Sequence, residues 1–215
     1  MGNASCISKN EPASVGQTVQ YLQRGFAVVL PTDTLYGLAV DALNERAVER
    51  FFKLKQRPAT KPVPLFVRDI AMAKEMAFID RRQEAMLEKL WPGPFTFVLF
   101  KRNKVSLRLT GTTQKVGLRI PDDTFCQAVL DEFGGPITAS SANISGKEAP
   151  TTVEEIMAQF KEHGTAPDLC VDAGPLEGRQ PSTVIDISGP RAVIVRMSAA
   201  SPAQLATILK AGESL

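Results

Sequence analysis

The densest run of potential chemistry in this chain lies between residues 28 and 67. An apolar stretch over residues 26–30 reads as a buried strand, and Pro31 closes it with Thr32, Asp33 and Thr34, two hydroxyls flanking a carboxylate. In an open α/β sheet, ligands bind outside the carboxyl ends of strands, which is where these groups fall. Lys53, Lys55, Arg57 and Lys61 follow at close spacing. Four cations near a hydroxyl cluster suit a polyanion such as phosphate, with Arg57 supplying a planar fork and the lysines point charges. The same cations also suit a solvated helix end that complements the helix dipole, and charge alone leaves both readings open.

A second polar constellation comprises Ser140, Ser141, Asn143, Ser145 and Gly146, followed by Thr151. Hydroxyls and an amide just past a strand can hold a ribose, a phosphate or a small zwitterion; they also make Asx and Ser turns. Arg119 lies on an apolar strand, where an unpartnered guanidinium is costly, so it needs either a structural ion pair or an anionic ligand. Ser182 and Thr183 open a later strand and Arg196 closes another. Taken singly, such residues are strand-end or surface groups.

Several chemistries lose their usual signal. The chain has no G-x-x-x-x-G-K-[ST], no G-x-G-x-x-G and no H-E-x-x-H. Its one histidine, His163, stands beside Gly164 at the end of a helical pattern, where basic side chains commonly finish helices. A Ser-His-Asp system is therefore not expected. An enzyme so equipped works by positioning and charge stabilisation rather than with a histidine base.

The elements that must hold these groups alternate along the chain. Residues 1–13 read as a flexible lead-in. A helical stripe over residues 14–24 stops at Gly25, and Asn44 caps a helix carrying Val48, Phe51, Phe52 and Leu54. Two more helical patterns span about residues 70–77 and 80–90, ended by Trp91-Pro92-Gly93-Pro94. Residues 95–100 form a continuous apolar strand, 101–113 a polar hairpin or mobile loop, and 116–120 a strand bearing Arg119. Asp122 or Asp123 caps the next helix, and residues 136–139 lead as a strand into Ser140. Thr152 and Glu155 match a capping box. Strands are expected at 169–171, 183–187 and 192–196, then a terminal helix over 201–215, with Ser201 as N-cap and Pro202 after it.

Helices interleaved with strands point to one α/β domain over residues 14–200, with a twisted, mixed and partly parallel sheet flanked by helices and the 201–215 segment packed on it. The 215 residues, 44% of them hydrophobic, suffice for a sizeable core. The net charge of +2 means that any affinity for nucleic acid needs a local patch. Cys6, Cys126 and Cys170 have no C-x-x-C spacing, which argues against a disulfide framework or zinc site and fits a reducing cytoplasm. No apolar run approaches the roughly 18 residues of a membrane span.

Six blocks carry a family resemblance: P-T-D-T-L-Y-G-L-A at 31–39, K-Q-R-P at 55–58, W-P-G-P-F-T at 91–96, G-L-R-I-P at 117–121, S-S-A-N-I-S-G at 140–146 and P-S-T-V-I-D at 181–186. In this order the chain resembles the YrdC family, the threonylcarbamoyl-AMP synthases, over about residues 14–200. The resemblance implies an α/β fold around a positively charged concave cavity. The reaction it implies joins L-threonine, bicarbonate or CO2 and ATP into threonylcarbamoyl-adenylate and pyrophosphate, for N6-threonylcarbamoyladenosine in tRNA. It implies threonine contacts from Thr34, Arg119, Ser141 and Ser182, and ATP contacts from Arg57, Lys61, Lys115, Asn143, Thr151 and Arg196. Lys55 and Arg57 become electrostatic catalysts, with Mg²⁺ accompanying ATP, no protein side chain assigned to the metal and no general base named.

The implied partners are a downstream tRNA threonylcarbamoyl-transferase complex and, weakly, tRNA or double-stranded RNA, with no membrane. An RNA-binding paralogue that makes no adenylate is the alternative. A carbamoyl-transfer module of hydrogenase maturation would also need zinc-finger and acylphosphatase regions, which this chain does not accommodate. Two positions depart from the family pattern: Met197-Ser198 stands where many relatives have Pro-Gly, and Phe66 where some have histidine. Without a further domain, closure of the cavity falls to loops 101–113 and 174–180.

Overall fold

A computed structural model describes residues 5–198 and Ser201. The helix expected at 201–215 lies, apart from Ser201, outside the described residues. In chain order the elements are β1 (Ser5–Ser8), α1 (Ser14–Gln23), β2 (Val28–Leu30), β3 (Gly37–Ala39), α2 (Glu45–Leu54), β4 (Leu65–Phe66), α3 (Ile70–Met76), α4 (Arg81–Leu90) and β5 (Phe95–Phe100). They continue with β6 (Lys115–Arg119), α5 (Thr124–Phe133), β7 (Ile137–Thr138), β8 (Ser140–Ser141), α6 (Val153–Glu162), β9 (Leu169–Asp172), β10 (Thr183–Asp186) and β11 (Val193–Arg196).

Apart from α1, which follows Ala13 without a side-chain cap, the described helices start after short polar side chains that satisfy free N–H groups of the first turn. The Asn44 side chain accepts from the amides of Arg46 and Ala47, and that of Asp123 accepts from Cys126. Asp80 and Gln83 close a reciprocal capping box. The pair expected to do so, Thr152 and Glu155, makes only half of one. Glu155 N donates to Thr152 Oγ1, but the Glu155 carboxylate turns instead to the amide of Thr151.

The strands form two sheets rather than one. The first has the order β1-β9-β2-β3-β8 and the second β11-β10-β5-β6-β4-β7, each mixing parallel and antiparallel neighbours. Alternation along a strand reports which residues face a core and says nothing about which sheet the strand joins, so the sequence leaves this open. Residues 137–141 cross between the sheets: β7 pairs with β4 and β8 with β3, while Ala139 N donates to Pro64 O and Ala142 N to Tyr36 O.

The expected lead-in is likewise structured where described. β1 runs parallel to β9, Ile7 level with Val171, and Ile7 packs on the apolar cluster beneath. Four residues of modest hydrophobicity show no pattern of their own; the free edge of β9 supplies the partner.

Two apolar clusters hold the layers. Val28 and Leu30 face one cluster with α1 and α5, while Val29 between them faces the other. This alternation across β2 places that strand between two packed layers. The larger cluster joins Leu38 and Cys170 of the first sheet to Phe97, Leu118 and Ile185 of the second, with side chains from α2, α4 and α6.

The 102–114 segment does connect the antiparallel strands β5 and β6, as a hairpin should, but it is packed down. Val105, Leu109 and Thr110 are buried, and Val63 N donates to Leu109 O at 2.7 Å. At its tightest point Gly111 adopts φ +60°, and a Cβ there would sit 2.4 Å from Thr60 O. Both the backbone region and the space exclude a side chain. Gly111→Ala is therefore expected to cost more than about 2 kcal/mol in urea unfolding and to loosen this loop first.

Candidate functional site

At the seam between the sheets lies a hollow of about 170 Å³. Thr34 enters it from the turn after β2, Arg119 from the end of β6 and Ser141 from β8. Ser182 enters just before β10, Arg196 at the end of β11, and Arg57 from the turn after α2. Six residues singled out from the sequence, spread over 160 positions, thus converge on one cavity.

Arg119 is the most constrained of them. Its guanidinium is buried, with Nε donating to Gly93 O at 3.0 Å, one terminal nitrogen to Thr34 Oγ1 at 2.8 Å and the other to Asp33 Oδ1 at 2.6 Å. The alternatives of ion pair and ligand are answered first by the ion pair. Three of five N–H donors are used, so two remain. Burial pulls the guanidinium below its ordinary pKa, and Asp33 opposes that shift. The Phe66 ring lies beneath, its centroid 5.6 Å from the guanidinium carbon. Phe66, expected to depart from the family pattern, is thus within cation–π range of the arginine.

Arg196 donates to the carbonyl and hydroxyl of Ser182, whose Oγ lies 2.9 Å from Thr96 Oγ1. Just past the strand, Ser198 N donates to Thr183 Oγ1. Burial and then the charge of Arg119 hold Arg196 below its ordinary pKa. Arg57 donates to the carbonyls of Lys61 and Pro62, bracing its own turn, and burial lowers it too. Among the described residues, Arg57 and Arg196 bond only neutral oxygens, so an anion entering the hollow meets two guanidiniums without carboxylate partners.

Lys55, expected to face substrate, does not line this hollow. The residue is 1% exposed, and its ammonium donates to Ser141 O, to Asn143 O at 2.8 Å and to Asn143 Oδ1 at 3.1 Å. Its own carbonyl accepts from Ser145 N. All three ammonium donors are used, so Lys55 ties the end of α2 to the 141–145 turn. Asn143 completes the tie, accepting from Ser141 Oγ and donating to Lys147 O. Asn143 is thus held by side-chain partners rather than as an Asx turn, since the Ser145 amide donates to Lys55 O, and it does not line the hollow.

Three further candidates lie outside the hollow. Lys115 pairs with Asp186 at 2.8 Å, Lys61 is exposed with its carbonyl bound by Arg57, and the Thr151 hydroxyl points to Glu155. His163 Nδ1 lies 2.8 Å from Gln159 O at the end of α6, a helix-finishing role as expected.

Tyr36 is a wall residue that sequence reasoning passed over, although it sits inside the 31–39 block. Its hydroxyl donates to Gly174 O and accepts from Ala173 N, and burial raises it to about 12. On the other side of the 174–181 loop, Arg179 donates to Thr32 O. This loop is therefore fastened to the cavity wall at both ends. Gly93 was legible only as a turn residue, yet a Cβ there would lie 2.8 Å from Leu90 O, and its carbonyl holds Arg119.

The family model for Sua5/YciO/YrdC, described as telomere recombination, matches residues 20–198. The chain belongs to this family. Among its relatives, the bovine threonylcarbamoyl-AMP synthase is 36% identical over 178 residues, covering 80% of this chain and 63% of that protein. Of solved structures, Pyrococcus abyssi Sua5 complexed with L-threonine superposes with a TM-score of 0.88 at 28% identity, covering 97% of this chain and 61% of that one. Escherichia coli YciO gives 0.82 at 27% identity, covering 95% and 99%. The chain thus spans about three fifths of the bovine and Pyrococcus relatives and nearly all of YciO.

Within this family fold, the Lys55 tie makes a direct prediction. Lys55→Met strands three buried oxygens, and unfolding in urea should show a loss of about 3 kcal/mol or more. Burial, helped by Arg57, pulls the Lys55 pKa down to about 7. The unfolded chain keeps that proton up to about pH 10.4, so between these values it binds more protons than the folded one. Stability measured relative to Lys55→Met should therefore rise as pH rises through that window.

Proposed function

We propose that this chain is a threonylcarbamoyl-AMP synthase, forming the mixed anhydride and pyrophosphate from L-threonine, bicarbonate or CO2 and ATP. The observation that carries this reading is the convergence of Thr34, Arg119, Ser141 and Ser182 with Arg57 and Arg196 on one hollow. The bovine relative's name and the threonine complex of the Pyrococcus relative support the same assignment.

A space of about 170 Å³ suits an amino acid rather than a whole nucleotide. Threonine therefore occupies the floor, its carboxylate on the two remaining donors of Arg119, its amine and hydroxyl among Thr34, Ser141 and Ser182. The triphosphate enters across the rim, where Arg57 and Arg196 take it. Threonine's amine adds to CO2 to give a carbamate, and a carbamate oxygen attacks the α-phosphorus while pyrophosphate leaves. Negative charge grows on the departing phosphates, and the rim guanidiniums stabilise it.

Among the described residues there is no cluster of three or more His, Cys, Asp or Glu side chains fit for a metal, and Asp33 is held by Arg119. Mg²⁺ fits as the companion of ATP, ligated by phosphate oxygens and water, where it neutralises charge on the triphosphate. The roles of Lys61, Asn143, Thr151 and Lys115 on this reading are indirect. The adenylate is then consumed by a tRNA-modifying transferase in the cytoplasm, with any RNA contact weak. Among the described residues no helix is long and apolar enough to cross a membrane.

The alternative raised by the sequence is a paralogue that binds structured RNA without making the adenylate. Pyrophosphate release separates the two. The synthase requires threonine and bicarbonate each to be present; release that needs neither rules it out, and no release together with salt-sensitive RNA binding favours the paralogue. Arg57→Ala should abolish release while the fold persists, since its protein partners are two carbonyls of its own turn. Arg119→Lys should raise KM for threonine far more than KM for ATP, because an ammonium cannot reproduce the fork.

A further inference from the structure

β1 and β9 place two cysteines side by side. In the parallel register Cys6 lies directly opposite Cys170, and the flanking bonds Ser5 N to Asp168 O and Lys9 N to Asp172 O lock that register. Residues level with one another on neighbouring strands point to the same face. Ile7 and Val171 share the face toward α1 and α5, so Cys6 and Cys170 share the opposite one. There the Cys170 sulfur lies 3.4 Å from Met157 Sδ of α6. Cys170 is buried, while Cys6 is exposed at the outer edge of the sheet.

We infer that Cys6 is a site of thiol modification and that Cys170 is its resolving partner, so that oxidation links β1 covalently to β9. Neighbouring strands run about 4.8 Å apart, within the roughly 4.4–6.8 Å that disulfides span between Cα atoms. An edge strand of four residues can shift the little that Cβ approach requires. The oxidant is a low-molecular-weight disulfide, RS–SR. The Cys6 thiolate attacks one of its sulfurs, that S–S bond breaks, and RS⁻ departs. Cys170 then attacks Cys6 Sγ and expels the second RS⁻, to which its proton passes to give RSH. Two protein thiols are oxidised, and RS–SR is reduced to two RSH.

Burial raises both thiols above their ordinary values, Cys170 to about 12, with the neighbouring Cys6 adding to the shift. The exchange is consequently slow near neutrality and faster in alkali. The third cysteine, Cys126, is buried against Pro31 O and takes no part.

The test uses the full chain incubated with glutathione disulfide at about pH 7 and about pH 9, followed by denaturing alkylation, intact mass and peptide mapping. The expected product is monomeric, lacks the mass of two hydrogen atoms, yields a 6–170 linked peptide, forms faster at the higher pH and melts several degrees higher than the reduced chain. Cys6→Ser, an exposed substitution, should abolish the link, and Cys126→Ser should not. A stable glutathione adduct on Cys6 with Cys170 still alkylated overturns the inference. So does a chain that stays fully reduced, or a link that survives Cys6→Ser.

Discussion

The site depends on one buried guanidinium. Arg119 stands at the end of β6 and binds three groups on two segments distant in sequence: the Gly93 carbonyl of the turn before β5, and the Thr34 hydroxyl and Asp33 carboxylate of the turn after β2. A guanidinium almost wholly out of water is tolerable only with such partners, and each partner is thereby held where it is. The turn admits only glycine at position 93, because Leu90 O crowds the space a side chain would take. The two sheets meet where this hub sits, so the junction and the cavity are the same feature.

Lys55 does for the opposite wall what Arg119 does for the floor, by a different chemistry. Among the described residues it has no counter-ion, and it spends its three donors on oxygens of Ser141 and Asn143. A charge held only by carbonyls and an amide is close to its limit of stability, which is why burial brings its pKa so low. The arrangement separates labour within one short basic run. Lys55 shapes the wall, Arg57 two residues on faces the cavity, and Lys53 returns to Glu49 on its own helix.

Much of this was legible from sequence, for identifiable reasons. Helix starts were readable because caps are local: Asn44 and Asp80 act on amides within three residues. Arg119 was readable as a problem, since a cation on an apolar strand demands a partner, although only the fold reveals that Asp33 is that partner. The two-sheet division was not readable, because β7 and β8 are two residues each and alternate too briefly to declare a side. Nor was Lys55, whose neighbours in sequence look alike. What separates Lys53, Lys55 and Arg57 is direction around the end of a helix, fixed by the 141–145 turn nearly ninety residues away. Tyr36 belonged to a quoted block and still escaped notice, since a phenol among apolar residues reads as core until its hydroxyl's partners are known.

The distribution of neutralised and free cations gives the cavity a polarity along its depth. At the floor Asp33 already balances Arg119, so a ligand there gains from hydrogen bonds and shape more than from charge, which favours a small zwitterion over a polyanion. Arg57 and Arg196 lack a carboxylate partner among the described residues, so the stronger pull on anions lies elsewhere in the hollow. The charge of Arg119 already bears on Arg196. An anion between them relieves a repulsion as well as forming bonds, and a group that becomes more negative during reaction relieves it further. On the proposed reading this gradient is why one cavity can hold an amino acid and activate it: the neutralised depth orients the carbamate, and the uncompensated rim stabilises the phosphates that leave.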